Sequence, residues 1–318
     1  MTKTYLETVS NTISKLFEND EKLIYLGEDV RNGHKGISPG YVNKFGLKRI
    51  IDMPISESSF VSFAVGLASC GYKPFVEFNF SGLSYVCLDQ IYNQACKFKT
   101  MTGNVKSIPI KFILPTGTKG GLAGHHSDNP YSIFANLGIR TIMPGTATEV
   151  EKCLTHFNNY SDPIAFFLPV QEFRNIINLE NDNLEYIGYQ CINKSINNTT
   201  VIICTGTTLS LSIEYNNYLI SQNYNGIDIY CISDLNFTTN VVELLSGLIY
   251  ENIILIDDSN IDFGIIDKME LLILKSDNKY SKIFKIGRSS DTIPFKAELE
   301  NKIRPVISKL INLGIYHV

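Results

Sequence analysis

Residues 56–80 read SESSFVSFAVGLASCGYKPFVEFNF, and the fold turns on how that run divides. Ser56 can start a helix and Glu57 puts an acid in its first turn, where the helix dipole favours negative charge. The small and apolar residues that follow suit a helix closed by Gly71. KPFVEFNF, residues 73–80, then reads as a buried strand. The same alternation runs outward in both directions. Tyr5, Val9, Ile13 and Leu16 fall on one helical face, and LIYLGED, residues 23–29, is a short buried strand ending in two carboxylates. Downstream come a helix over 88–99, strand 108–115, a helix from about Asn129, strand 139–144, helix 147–157 and strand 163–169. Apolar strands alternating with helices predict a parallel sheet covered on both faces.

Residues 171–199 are polar and Asn-rich and read as a linker carrying a short strand. Alternation restarts with strand 200–206, helix 208–222, strand 226–232, a helix near 240–249, strand 252–257, helix 263–274, strand 282–287 and a last helix. The expected fold is α/β in two domains, residues 1–175 and a smaller 200–318, joined by a linker at 176–199. That division matches ordinary domain sizes. No repeat relates the halves, and neither carries a G-x-G-x-x-G or G-x-x-x-x-G-K-[ST] phosphate loop.

Composition narrows the function classes. The 318 residues are 44% hydrophobic and 19% charged, with net charge -4, which is globular and carries no basic footprint for nucleic acid. No apolar run reaches membrane-spanning length, and the first residues lack the pattern of a signal peptide. Seven scattered cysteines without a C-x-x-C pair suit reduced thiols, so a cytoplasmic location is expected.

Ligands of parallel α/β sheets sit beyond the carboxyl ends of the strands. Three polar spots fall there: Glu28-Asp29, Glu57, and the loop PTGTKGGLAGHHSDNP at 115–130, with four glycines leading into His125 and His126. Each has a bland explanation alone, as a solvated strand end, a dipole-stabilised helix start and a permissive surface loop. Three at one end of one sheet favour a cleft.

The fragments LGEDV (26–30), KFGLKRIIDMPISESSFVSFAVGLASCGYKPFVEF (44–78), LDQIYNQACKFKTMTG (88–103), GHHSDNP (124–130) and LGIRTIMPGTATE (137–149) follow one another in order. This resembles the β subunit of the E1 component of thiamine diphosphate-dependent 2-oxo acid dehydrogenases, of the pyruvate and branched-chain type. The likeness is dense over the first 170 residues. It thins beyond them, where CTGTTLSLSIEY, ISDL, ILID and SSDTIPF recur. The resemblance implies a pyrimidine-binding domain followed by a transketolase C-terminal-like domain. It implies that Glu57 is the glutamate that shares a proton with the aminopyrimidine ring, and that His126 faces the substrate. His125 falls beside it at a variable position. Glu28 would stand at the mouth of the site and Ile55 beside the aminopyrimidine. Leu83 aligns with the aromatic residue that stacks on that ring, with Phe80 close before it.

The resemblance also implies what the chain lacks. The G-D-G motif that holds the diphosphate through Mg²⁺ is absent and would belong to an α partner, in an α2β2 assembly. Decarboxylation of a 2-oxo acid would leave an acyl or enamine unit for transfer, in a dehydrogenase complex to a lipoyl acyltransferase. Departures leave alternatives open. Leu83 gives up an aromatic contact of about 0.5–1.5 kcal/mol. FIL at 112–114 replaces a stretch that usually holds an arginine, and DLNFTTN (234–240) and DDSNIDFG (257–264) depart from the family pattern. A split transketolase or acyloin-type carboligase subunit, and a non-catalytic scaffolding subunit, remain alternative readings.

Overall fold

The computed structural model describes residues 3–117, 120–177, 186–195, 198–275, 282–289 and 292–315. The first half runs α1 (Tyr5–Asn19), β1 (Leu23–Gly27), α2 (Tyr41–Phe45), β2 (Ile50–Asp52), α3 (Glu57–Ser69), β3 (Lys73–Glu77), α4 (Phe98–Met101), β4 (Lys111–Thr116), α5 (Ala123–Ser127), α6 (Tyr131–Asn136), β5 (Arg140–Ile142), α7 (Ala147–His156) and β6 (Ile164–Pro169). Its six strands form one sheet in the order β2-β1-β3-β4-β6-β5, every pairing parallel.

Period-two burial on both faces explains the sheet. Ile24, Leu26, Val76, Phe112, Leu114, Ala165 and Phe167 join one core with Phe60, Val61 and Ala64 of α3. Leu23, Tyr25, Phe75, Ile113 and Phe166 join the other with α1 and α7. Each fully buried side chain of this size contributes roughly 1.5–3 kcal/mol against the entropy of ordering the chain. Thr4 and Glu7 close a reciprocal capping box that starts α1, and Thr146 accepts the Glu149 N–H at 3.1 Å to start α7.

The second half contains β7 (Tyr189–Asn193), β8 (Thr200–Thr205), α8 (Leu209–Ser221), β9 (Asp228–Ile232), α9 (Thr239–Ser246), β10 (Asn252–Asn260), α10 (Ile265–Leu274), β11 (Lys282–Arg288), α11 (Ala297–Ile303) and α12 (Ile307–Ile311). The strand order is β11-β10-β8-β9-β7, parallel except for β7, which lies antiparallel on β9. The short strand expected within 176–199 is therefore an edge of this second sheet. Residues 178–185 of that stretch lie outside the described residues.

The halves share hydrogen bonds at a sheet edge. Met143 N–H donates to the Ser233 carbonyl at 2.7 Å, and Leu235 N–H to that of Thr141 at 3.1 Å. Arg140 pairs with the fully buried carboxylate of Asp234 at 2.9 Å. The open edge of β5 is thus covered by residues 233–236, which satisfies backbone groups that an exposed edge strand leaves to water.

Local differences from the sequence reading cluster near the cleft. The helix expected over 88–99 is a π-type stretch at Gln90–Cys96 and the single turn of α4, preceded by a 3₁₀ turn at Ser81–Cys87. The helix expected from Asn129 starts at Tyr131. Both histidines of the glycine-rich loop sit on the short helix α5. The edge strand β2 and the helices α2 and α12 are too short to show in periodicity.

Candidate active site

The carboxyl ends of β1 and β3 set the first wall. Glu28 follows β1 and accepts a hydrogen bond from the Asn79 side chain, two residues beyond β3, at 2.8 Å. Burial raises the Glu28 carboxyl above its ordinary range, and the neighbouring Glu57 and Asp29 charges raise it further, while Asn79 and Lys35 hold it down. Glu57 is the first residue of α3 and only 8% exposed. Among the described residues no hydrogen bond or ion pair engages its carboxyl group. Ser56 stands at the N-cap as expected, but its hydroxyl turns to Ser59 Oγ at 2.8 Å and caps no backbone N–H. Beside Glu57 lies Cys87, whose thiol is pushed up to about 12 by burial and then by the Glu57 charge, so this thiol is inert.

Phe80 links the strand ends to the histidines. Its ring meets that of His126 edge-to-face at 4.6 Å between centroids, and Lys35 Nζ lies 3.7 Å from the Phe80 centroid. His126 Nδ1 is 3.2 Å from the Leu122 carbonyl oxygen. His125 is next to it, with ring centroids 6.5 Å apart, and both imidazoles are exposed. A side chain on Gly82 would come within 2.9 Å of the His125 carbonyl oxygen, so glycine there permits the 3₁₀ turn to pack against α5.

A groove of about 640 Å³ opens beside this turn, lined by Leu83, Tyr85, Val86, His125 and Asp128, with Thr292 and Ile293 of the second half. Leu83 is half-buried against the first core. Ile55 points outward at 86% exposed and is not among the groove residues. The structure thus brings Glu28, Glu57, Phe80 and His126 to one end of the sheet, sets Leu83 and His125 in the adjoining groove, and leaves Ile55 uncovered.

Four neighbours escaped the sequence reading. Asn79 breaks an apolar run, the one signal that could have marked it. Lys35 lies in a glycine-flanked loop and is indistinguishable in sequence from a solvated surface lysine. Glu77 is buried at the end of β3, accepts the Tyr25 hydroxyl at 2.5 Å and is pushed up to about 7 by burial. Arg288, 160 residues beyond Asp128, pairs with it at 3.0 Å. Among the described residues no group of three or more His, Cys, Asp or Glu is placed to hold a metal ion, and no helix is long and apolar enough to cross a membrane.

Comparison with known proteins agrees with this geometry. Over 97% of the chain it is 24% identical to the β subunit of acetoin:2,6-dichlorophenolindophenol oxidoreductase of Bacillus subtilis, covering 95% of that protein. It is 28% identical to the 3-methyl-2-oxobutanoate dehydrogenase β subunit of Mycobacterium tuberculosis over 63% of this chain and 58% of that one. The chain spans about half the length of the dehydrogenase subunits it matches. A solved structure described as a split gene transketolase, inactive beta4 tetramer, superposes with a TM-score of 0.76 at 14% identity, covering 97% of this chain and 96% of that one. The model of the transketolase pyrimidine binding domain matches residues 2–175, more than half of the chain, and the chain belongs to that family.

Proposed function

We propose that this chain is the β subunit of a thiamine diphosphate-dependent enzyme that decarboxylates a 2-oxo acid, with Glu57 the residue that exchanges a proton with the cofactor's aminopyrimidine. The carrying observation is Glu57 itself: a carboxyl group in the first turn of α3, 8% exposed and with no hydrogen-bond partner among the described residues. A largely buried carboxyl group without a partner costs stability until a bound molecule hydrogen-bonds it, and a positioned acid near a reacting group is what proton transfer requires. When bound, the cofactor supplies an electron sink for the charge left as a carboxylate departs.

The other residues divide the remaining work. Glu28 stands close enough to Glu57 for the Glu57 charge to add to the burial that raises the Glu28 carboxyl. His126, exposed and edge-on to Phe80, offers a ring nitrogen to donate to or accept from a substrate. Leu83 offers an apolar side chain on the groove side, and Ile55 an uncovered apolar surface for the cofactor ring or the partner. Mg²⁺ and the diphosphate would be held by an α partner in an α2β2 assembly. A lipoyl acyltransferase would receive the acyl unit in a dehydrogenase complex.

A second reading is a carboligase-type subunit; the near full-length match is to the β subunit of an oxidoreductase, acetoin:2,6-dichlorophenolindophenol oxidoreductase, and favours the first reading. One experiment addresses both, and the scaffolding alternative too. The chain is co-purified with a G-D-G-containing α partner, thiamine diphosphate and Mg²⁺, and assayed with 2-oxo acids using either an artificial electron acceptor or an aldehyde acceptor. Acceptor reduction supports the dehydrogenase reading and carbon–carbon bond formation the carboligase one. A stable complex with neither activity supports the scaffold.

A further inference from the structure

We infer that the second half of the chain holds the histidine-bearing turn in register, with Glu300 of α11 as the positioning residue for His126. The backbone N–H groups of Gly120 and Gly121 donate to the two carboxylate oxygens of Glu300, each at 2.8 Å, across 180 and 179 residues of sequence. Glu300 is fully buried, and among the described residues the cation paired with it, Arg304, is 3.8 Å away. The loop amides are therefore its close partners, and hydrogen bonds to an ionised acceptor are the strong kind.

The backbone confirms how tight this contact is. Gly121 has φ +96°, and a Cβ there would stand 3.0 Å from the Phe295 carbonyl oxygen and 3.1 Å from the Ala297 nitrogen. Two residues on, Ala123 holds φ 60°, in the left-handed region, a conformation that persists in a non-glycine residue only when its surroundings impose it. The far side of α5 is gripped as well. Asp128 accepts from Arg288 at 3.0 Å and from the Tyr85 hydroxyl at 3.0 Å. The Asn129 side chain donates to the Asp258 carbonyl at 2.6 Å. Among the described residues His126 meets the Phe80 and His125 rings and lies near the Leu122 carbonyl. Its place is set by the flanks of its turn, and those flanks are tied to Glu300, Arg288 and Asp258.

The inference does not depend on the cofactor. The test uses the full chain and reads the ring protons of His126, which the Phe80 ring shifts, by nuclear magnetic resonance, together with amide exchange at Gly120 and Gly121. His156, edge-on to Phe157 at 4.7 Å, is the internal control for folding. In Glu300→Gln one acceptor becomes a donor facing an N–H. Exchange at both glycines should quicken roughly tenfold or more, and the His126 signals should move toward free-imidazole positions while those of His156 stay. Gly121→Ala, which pushes the loop from α11 and leaves Glu300 intact, should move His126 in the same way and decides the matter if Glu300→Gln does not fold. His126 signals that stay in place in a folded variant with faster exchange would show that Glu300 is merely structural and overturn the inference. Unchanged exchange in folded Glu300→Gln would overturn it equally.

Discussion

Lys111 shows how a single side chain can sit against the grain of its surroundings. It is 1% exposed in β4, its Nζ has no hydrogen-bond partner among the described residues, and the Phe75 ring centroid is 5.4 Å away. Burial, helped by the Lys73 charge, depresses its amine to about 8. Below pH 8 the amine is charged in both folded and unfolded chain, and the folded chain bears the desolvation cost. Between about 8 and its ordinary 10.5 the folded chain sheds the proton first, so the cost fades as pH rises. Lys111→Met should therefore raise the urea midpoint at pH 7, by up to about 3 kcal/mol, with an unchanged slope, and the gain should shrink above pH 8. Phe80→Ala should remove the edge-to-face contact with His126, worth about 0.5–1.5 kcal/mol, and impair substrate turnover in the assembled enzyme more than cofactor binding, as measured by kcat against cofactor titration. Glu28, Glu57 and His126 were legible because motif order carried them. Asn79, Lys35 and Glu300 were not, because their roles come from neighbours that only the folded chain supplies.

At the scale of elements, periodicity found nearly every long helix and buried strand and failed where the chain turns tightly. The stretch 88–99 reads as a helix, yet a tight 3₁₀ turn precedes it and its own turns are wound too widely, with the Lys97 N–H reaching back to the Tyr92 carbonyl at 3.1 Å. Such widened turns occur often at functional sites, and this one directly follows the 3₁₀ turn that carries Leu83 past α5. The stretch 257–264, which departs from the family pattern, supplies the buried junction between the halves. Asp257 accepts from the Tyr131 hydroxyl at 3.0 and 2.9 Å and from the Ser259 N–H at 3.0 Å. Tyr131→Phe should leave this buried carboxylate short of a donor and cost about 1–3 kcal/mol, read as a lower urea midpoint. The sequence showed the departure but could not show that Asp257 faces Tyr131 of α6, because that contact spans 126 residues.

Across the whole molecule, two buried carboxyl groups shape the response to pH. Burial pushes both Glu77 and Glu149 up to about 7, against the hydrogen bonds that Tyr25 and Ser233 donate to them. Between the ordinary carboxyl value of 4.5 and about 7 the folded chain holds more protons than the unfolded one, so stability falls as pH rises through that window. Urea midpoints taken from pH 5 to 8 should decline for the native chain and flatten in a Glu77→Gln, Glu149→Gln double variant, which keeps both hydroxyl partners. The plan of two α/β sheets was legible because both faces of each sheet are apolar at period two. The way the halves lock together was not, since it rests on residues such as Asp234 and Glu300 whose partners lie far off in sequence.

The most direct measurement follows exchange of the C2 proton of thiamine diphosphate for deuterium in the assembled α/β enzyme, comparing the native chain with Glu57→Gln. The role given to Glu57 predicts exchange slower by about 10²–10⁴-fold in the variant with cofactor affinity and assembly preserved. Native exchange rates in assembled, cofactor-loaded Glu57→Gln would contradict it.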